Sequence, residues 1–209
     1  MTMTSPTLSL EFTQLLITKF CHDITGPIGA INNGVELMED DDSMRDVAME
    51  LITDSANQAM NRLKYYRFAY GILKTDGYAD TAESKTAISD FFKAFKIEII
   101  FDGDDAAYST YQCRILYNLC LIASSALIRG GSITITPTLH NDTLTSLNIY
   151  ATGQMVRLDA LIEDAIKGQG EPDKKSVQAH YALMLVHQSG ELSHAIDDDS
   201  FTINYKVVG

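Results

Sequence analysis

From about residue 8 to residue 38, apolar side chains return at steps of three and four: Ile17, Phe20, Cys21, Ile24, Ile28, Ile31, Val35 and Met38. That spacing draws one apolar stripe along a helix. The run Glu39-Asp40-Asp41-Asp42-Ser43 interrupts it with side chains suited to cap the helix that follows. A second stripe, Ala48, Ile52, Ser55, Ala59, Leu63, Tyr66 and Tyr70, is close to a heptad repeat and predicts a helix over about 44–72. Two long helices with so short a connection form an antiparallel hairpin. A lone hairpin buries both stripes poorly. The simplest partner is a second copy, which would complete a four-helix bundle about a two-fold axis.

After Gly71 the pattern changes. Lys74-Thr75-Asp76-Gly77 reads as a linker, dividing the chain into a helical hairpin over 1–76 and a second unit over 77–209. In the second unit, 84–95, 111–128, 158–167 and 176–188 read as helices. Strands are expected over 96–101, 132–138, 145–151 and 201–207, with His140-Asn141-Asp142 as a hairpin turn. Helices on one face of a mixed sheet make an α/β sandwich, so the fold class is α+β.

Composition narrows the setting. Of 209 residues, 45% are apolar and 21% charged, which is ordinary for a globular chain. The first twelve residues lack a signal-peptide pattern, and no apolar run reaches the roughly 18–20 residues of a membrane helix. A cytoplasmic protein with no membrane contact is expected. A net charge of −12 argues against a nucleic-acid partner, apart from a small basic patch at Arg62, Lys64 and Arg67. Cys21, Cys113 and Cys120 form no CxxC pair; the last two read as buried thiols.

The candidate chemistry begins at His22. On a helical wheel it lies nearly opposite the apolar stripe, with Thr18, Gly26, Gly29 and Asn33 on the same outward face. Glycine inside a helix costs about 1 kcal/mol relative to alanine. Two glycines flanking Pro27 are a poor choice for stability alone, and a smooth strip that lets another backbone approach the imidazole would explain them. An ordinary surface histidine above a relaxed proline kink is the alternative. His140, His180, His187 and His194 lack close carboxylate or cysteine partners.

The string His22-Asp23-Ile24-Thr25-Gly26-Pro27-Ile28 resembles the phosphoacceptor box of histidine kinases. Extended from Cys21 through Gly29-Ala30-Ile31-Asn32-Asn33-Gly34-Val35-Glu36-Leu37, it is similar to the ChpT-like histidine phosphotransferases of alphaproteobacteria. Arg67-Phe68-Ala69-Tyr70-Gly71, Asn118-Leu119, Arg129-Gly130-Gly131 and Ser176-Val177-Gln178 extend the resemblance over nearly the whole chain. It implies a phosphorelay in which His22 accepts a phosphoryl group from the receiver domain of a hybrid histidine kinase and passes it to response-regulator receiver domains. Imidazole is a good nucleophile near neutral pH, and phosphohistidine stays reactive enough to donate. Mg²⁺ would come with the receiver, so no cofactor and no metal site are expected in this chain. Asp23 would orient the imidazole.

If the turn centres near Asp42, Asn61 and Arg62 lie across from His22, and Arg62 is a candidate contact for phosphoryl oxygens. A receiver would dock on Gly26, Gly29 and Asn33 of the first helix and near Asp54 and Ser55 of the second. Gly26 stands where kinases with phosphatase activity carry Thr or Asn, which counts against that activity here. The second unit has the element order of a kinase ATPase domain without its chemistry. Asn118 matches the first asparagine of the kinase motif, but Ile122 replaces the second and offers Mg²⁺ no oxygen. Ala151-Thr152-Gly153-Gln154 stands in place of the adenine motif, and Gly168-Gln169-Gly170 is only a lone GxG. A degenerate domain without ATP binding is expected. The competing reading is a non-catalytic dimeric adaptor that binds receivers without phosphoryl transfer.

Overall fold

The computed structural model describes residues 9–71, 81–103 and 107–208. Ser9 accepts a hydrogen bond from the Phe12 amide and so caps α1 (Leu10–Asp40). Asp41 takes the Ser43 amide on its carboxylate, starting the 3-10 turn Asp42–Met44 that leads into α2 (Arg45–Tyr70). The second unit follows as α3 (Thr81–Lys93), β1 (Ile97–Phe101), α4 (Thr110–Ser125), β2 (Gly131–His140) and β3 (Thr143–Thr152). It continues with α5 (Ala160–Ile166), α6 (Val177–Val186), β4 (Gly190–Ile196) and β5 (Ser200–Val207). The linker read at 74–77 lies outside the described residues, as does the expected boundary at 76/77.

The sheet order is β1-β2-β3-β5-β4, with β1 parallel to β2 and the other pairs antiparallel. Alternate residues Ile133, Ile135, Leu147, Ile149, Ala151, Phe201, Ile203 and Tyr205 are buried under the helices, as a one-sided sheet requires. Asn141 and Asp142 both take positive φ at the β2–β3 turn, a conformation these side chains tolerate. A capping box of Ser109 and Gln112 starts α4, the central helix of this core. β4 is an edge strand that residue pattern does not reveal: its half-buried face is Gly190, Leu192 and His194, so the residue types show no clear apolar alternation.

The hairpin and the sandwich share one core. Tyr65, Phe68 and Ala69 of α2 are buried with α4 residues. The last carbonyls of a helix have no partner within it. Here Asn118 donates to Ala69 O, and Arg114 donates to Gly71 O, at 2.9 and 2.8 Å. Tyr65 Oη donates to Tyr117 O in return. Asn118 is thus spent as a clamp between the two units, with Gln178 donating to its side-chain oxygen. Ile122 is fully buried in the same core.

The apolar stripe of α1 divides in two. Phe12, Pro27 and Gly34 are buried, with Phe20 and Ile24 packed against the core, while Ile17, Ile28 and Val35 remain exposed about a quarter-turn away. On α2, Ala48, Ser55 and Ala59 face α1 and are buried, whereas Met49, Met60 and Leu63 are exposed. In an antiparallel pair these two exposed sets fall on the same side of the hairpin, opposite the side that carries His22.

Candidate active site

His22 sits midway along α1 with its side chain 86% exposed. Its Nδ1 lies 3.3 Å from Oδ1 of Asp23. The other carboxylate oxygen, Oδ2, accepts from Tyr66 Oη at 2.8 Å and faces Lys19 Nζ at 3.2 Å. Burial pushes the Asp23 carboxyl up, but the Lys19 charge and hydrogen bonds from Tyr66, His22 and Lys19 outweigh it and hold it below the usual aspartate range. Burial, and then the Asp23 charge, raises the Tyr66 phenol well above its ordinary value. At neutral pH the pair is therefore a carboxylate and a protonated hydroxyl.

Pro27 shapes the same spot. It has no N–H, so the carbonyl four residues earlier, that of Asp23, loses its helical partner. Arg62 of α2 fills the vacancy by donating Nη1 to Asp23 O. Its guanidinium also lies over the Phe95 ring, 5.3 Å from the centroid. Arg62 is level with the His22 turn, as the hairpin geometry predicted, yet its contact is with the backbone beneath Asp23.

A cavity of about 200 Å³ opens between hairpin and sandwich, bounded by Lys19, Asp23, Arg62, Tyr66 and Lys175. It adjoins a shallower cleft in which Thr18, Lys19 and His22 face Ile162, Lys174 and Lys175 of the sandwich. The imidazole therefore stands beside lysines from both units, although the chain as a whole is acidic.

The expected docking strip is only partly on the surface. Gly26, Gly29 and Asn33 are exposed on the His22 face, and a Cβ built on either glycine meets nothing within 4 Å. Asp54 is exposed and lines a groove between α2 and α3. Ser55 is buried inside the hairpin, so its side chain does not reach that surface. Tyr66 is a residue of this candidate site that helix spacing does not reveal: in the α2 stripe it reads as apolar, and only its position near the level of Asp23 points to its hydroxyl's partner.

The model of the histidine phosphotransferase C-terminal domain matches residues 81–200. Protein phosphotransferase ChpT of Brucella abortus (strain 2308) is 34% identical over 186 residues, spanning 87% of this chain and 88% of that protein. The chain belongs to the histidine phosphotransferase family. A solved structure of a bacterial phosphotransferase agrees with a TM-score of 0.84 at 31% identity, covering 96% of this chain and 98% of its own. The resemblance read from the residues around His22 thus holds across the chain, and the protein is a histidine phosphotransferase of a phosphorelay.

Proposed function

We propose that His22 is the phosphoacceptor. It takes the phosphoryl group from the aspartyl phosphate of a hybrid kinase's receiver domain and gives it to the aspartate of a response-regulator receiver. The observation that carries this reading is the exposed imidazole whose Nδ1 is engaged by Asp23, leaving Nε2 without a protein partner among the described residues. A proton on Nδ1 puts the lone pair on Nε2. Nε2 attacks phosphorus, the bond to the aspartyl oxygen breaks, and the ring becomes cationic beside the Asp23 carboxylate. The reverse steps deliver the group to the second receiver. Mg²⁺ belongs to the receiver in this scheme, so nothing in this chain has to hold it.

Autophosphorylation from ATP has no support in the second unit, where Asn118 is committed to the clamp and Ile122 to the core. Two copies would join through Ile17, Ile28 and Val35 of α1 with Met49, Met60 and Leu63 of α2, burying an otherwise exposed apolar face and leaving both His22 side chains outward. No helix among the described residues is long and apolar enough to cross a membrane, which fits a relay that runs in the cytoplasm.

Incubation with a phosphorylated hybrid-kinase receiver tests the assignment. Wild-type protein should acquire acid-labile, base-stable phosphate and pass it to a second receiver, and His22→Ala should acquire none. A wild-type protein that binds the receiver yet takes up no phosphate would instead be an adaptor.

A further inference from the structure

Resting on the reading of His22 as acceptor, the structure points to a residue that prepares it. Consecutive residues on a helix diverge by about 100° and do not face each other. The Asp23 carboxylate reaches back to His22 Nδ1 only in a particular rotamer, and something has to select it. Lys19 contacts the same oxygen as Tyr66, but through a long, part-exposed chain. Tyr66 is different. Its ring is 6% exposed and packed among the rings of Phe20, Tyr70 and Phe91, so its hydroxyl is fixed in place. Protonated by its surroundings, it donates to Oδ2 and leaves Oδ1 aimed at the imidazole. Arg62 pins the Asp23 backbone from the same helix.

We propose that Tyr66 is a positioning residue for phosphoryl transfer: its hydroxyl fixes the Asp23 carboxylate so that His22 is held with the proton on Nδ1 and the lone pair on Nε2. Free imidazole favours the other tautomer, so the protein has to impose this one. The same anchored carboxylate faces the ring when transfer makes it cationic. Tyr66 touches neither the imidazole nor the phosphoryl group and acts through Asp23.

The test is Tyr66→Phe, which keeps the ring and its packing and removes one oxygen. Nitrogen-15 spectra of the unphosphorylated, histidine-labelled protein report which imidazole nitrogen carries the proton. Wild type should show His22 protonated mainly on Nδ1, and the variant a shift toward Nε2. Transfer from a phosphorylated receiver should slow about ten-fold, the size of one hydrogen bond to a charged group. Unchanged spectra overturn the proposal, even if transfer slows, because a purely structural loss would leave the tautomer alone. The spectra need no phosphate, so they decide the role of Tyr66 separately from the acceptor assignment. That assignment fails instead if phosphate uptake survives in His22→Ala.

Discussion

Two faces of α2 live in different surroundings. Its C-terminal turns insert Tyr65, Phe68 and Ala69 into the sandwich core, where none is more than 7% exposed. Its outer face leaves Met49, Met60 and Leu63 at 47%, 65% and 42%, beside Ile17, Ile28 and Val35 of α1. One helix thus serves a core that closes within a single chain and another that does not. The sandwich spends its polar groups on closure: Asn118, Arg114 and Gln178 satisfy the carbonyls and side chains at the junction. The hairpin beyond it keeps apolar surface that water penalises by about 25 cal/mol per Å².

The sharpest way to break the closed core is Ile122→Asn, which restores the asparagine of the kinase motif. The position is fully buried, so the amide would replace a packed side chain with polar atoms lacking partners. A loss of about 4 kcal/mol is expected from the cavity and the unsatisfied groups together. Denaturant unfolding reads it directly. A variant of wild-type stability would show that this part of the core has room to rearrange around the kinase residue.

The open face answers to a different change. Ile28→Glu places a carboxylate at the centre of the exposed strip, and in a symmetric dimer each copy carries one. Desolvating both should weaken association by about 3 kcal/mol, more than a hundred-fold, while the monomer fold survives because Ile28 is already solvated in the single chain. Sedimentation should find wild type as a dimer and the variant as a monomer at the same concentration. If wild type sediments as a monomer, the strip serves some other contact.

The contrast also explains what the sequence disclosed. Helix spacing gave the hairpin and its register: Gly34 packs against Ala48 and Ile52, and Asp23 lies level with Arg62, as a turn near Asp42 demands. Periodicity could not separate the two faces of α1, because one continuous stripe served both the seam with α2 and the exposed strip. It also missed β4, where half-buried and exposed positions alternate but the half-buried ones are Gly190, Leu192 and His194, only one of them a large apolar side chain. At the candidate site, the exposure of His22 was legible from local spacing. The bonds made by Tyr66 and Arg62 were not. The first depends on a hydroxyl within an apolar stripe, and the second on a carbonyl left free by Pro27.

Three glycines of α1 offer the finest test, since they share a helix and differ only in what surrounds them. A Cβ on Gly34 would lie 2.6 Å from Ile52 Cγ1 and 3.2 Å from Ala48 O, so Gly34→Ala should cost about 1–2 kcal/mol by forcing the helices apart. Gly29 has open space, and Gly29→Ala should stabilise the fold by about 1 kcal/mol through helix propensity and a less flexible unfolded chain. Gly26 has equal space but precedes Pro27, whose ring disfavours helical backbone in a preceding residue with a side chain, so Gly26→Ala should gain less. Thermal unfolding ranks the three. Gly29→Ala then separates stability from function: if a receiver packs against this strip beside His22, the more stable variant transfers phosphate more slowly. An unchanged transfer rate would place the receiver elsewhere and leave the glycine without a docking role.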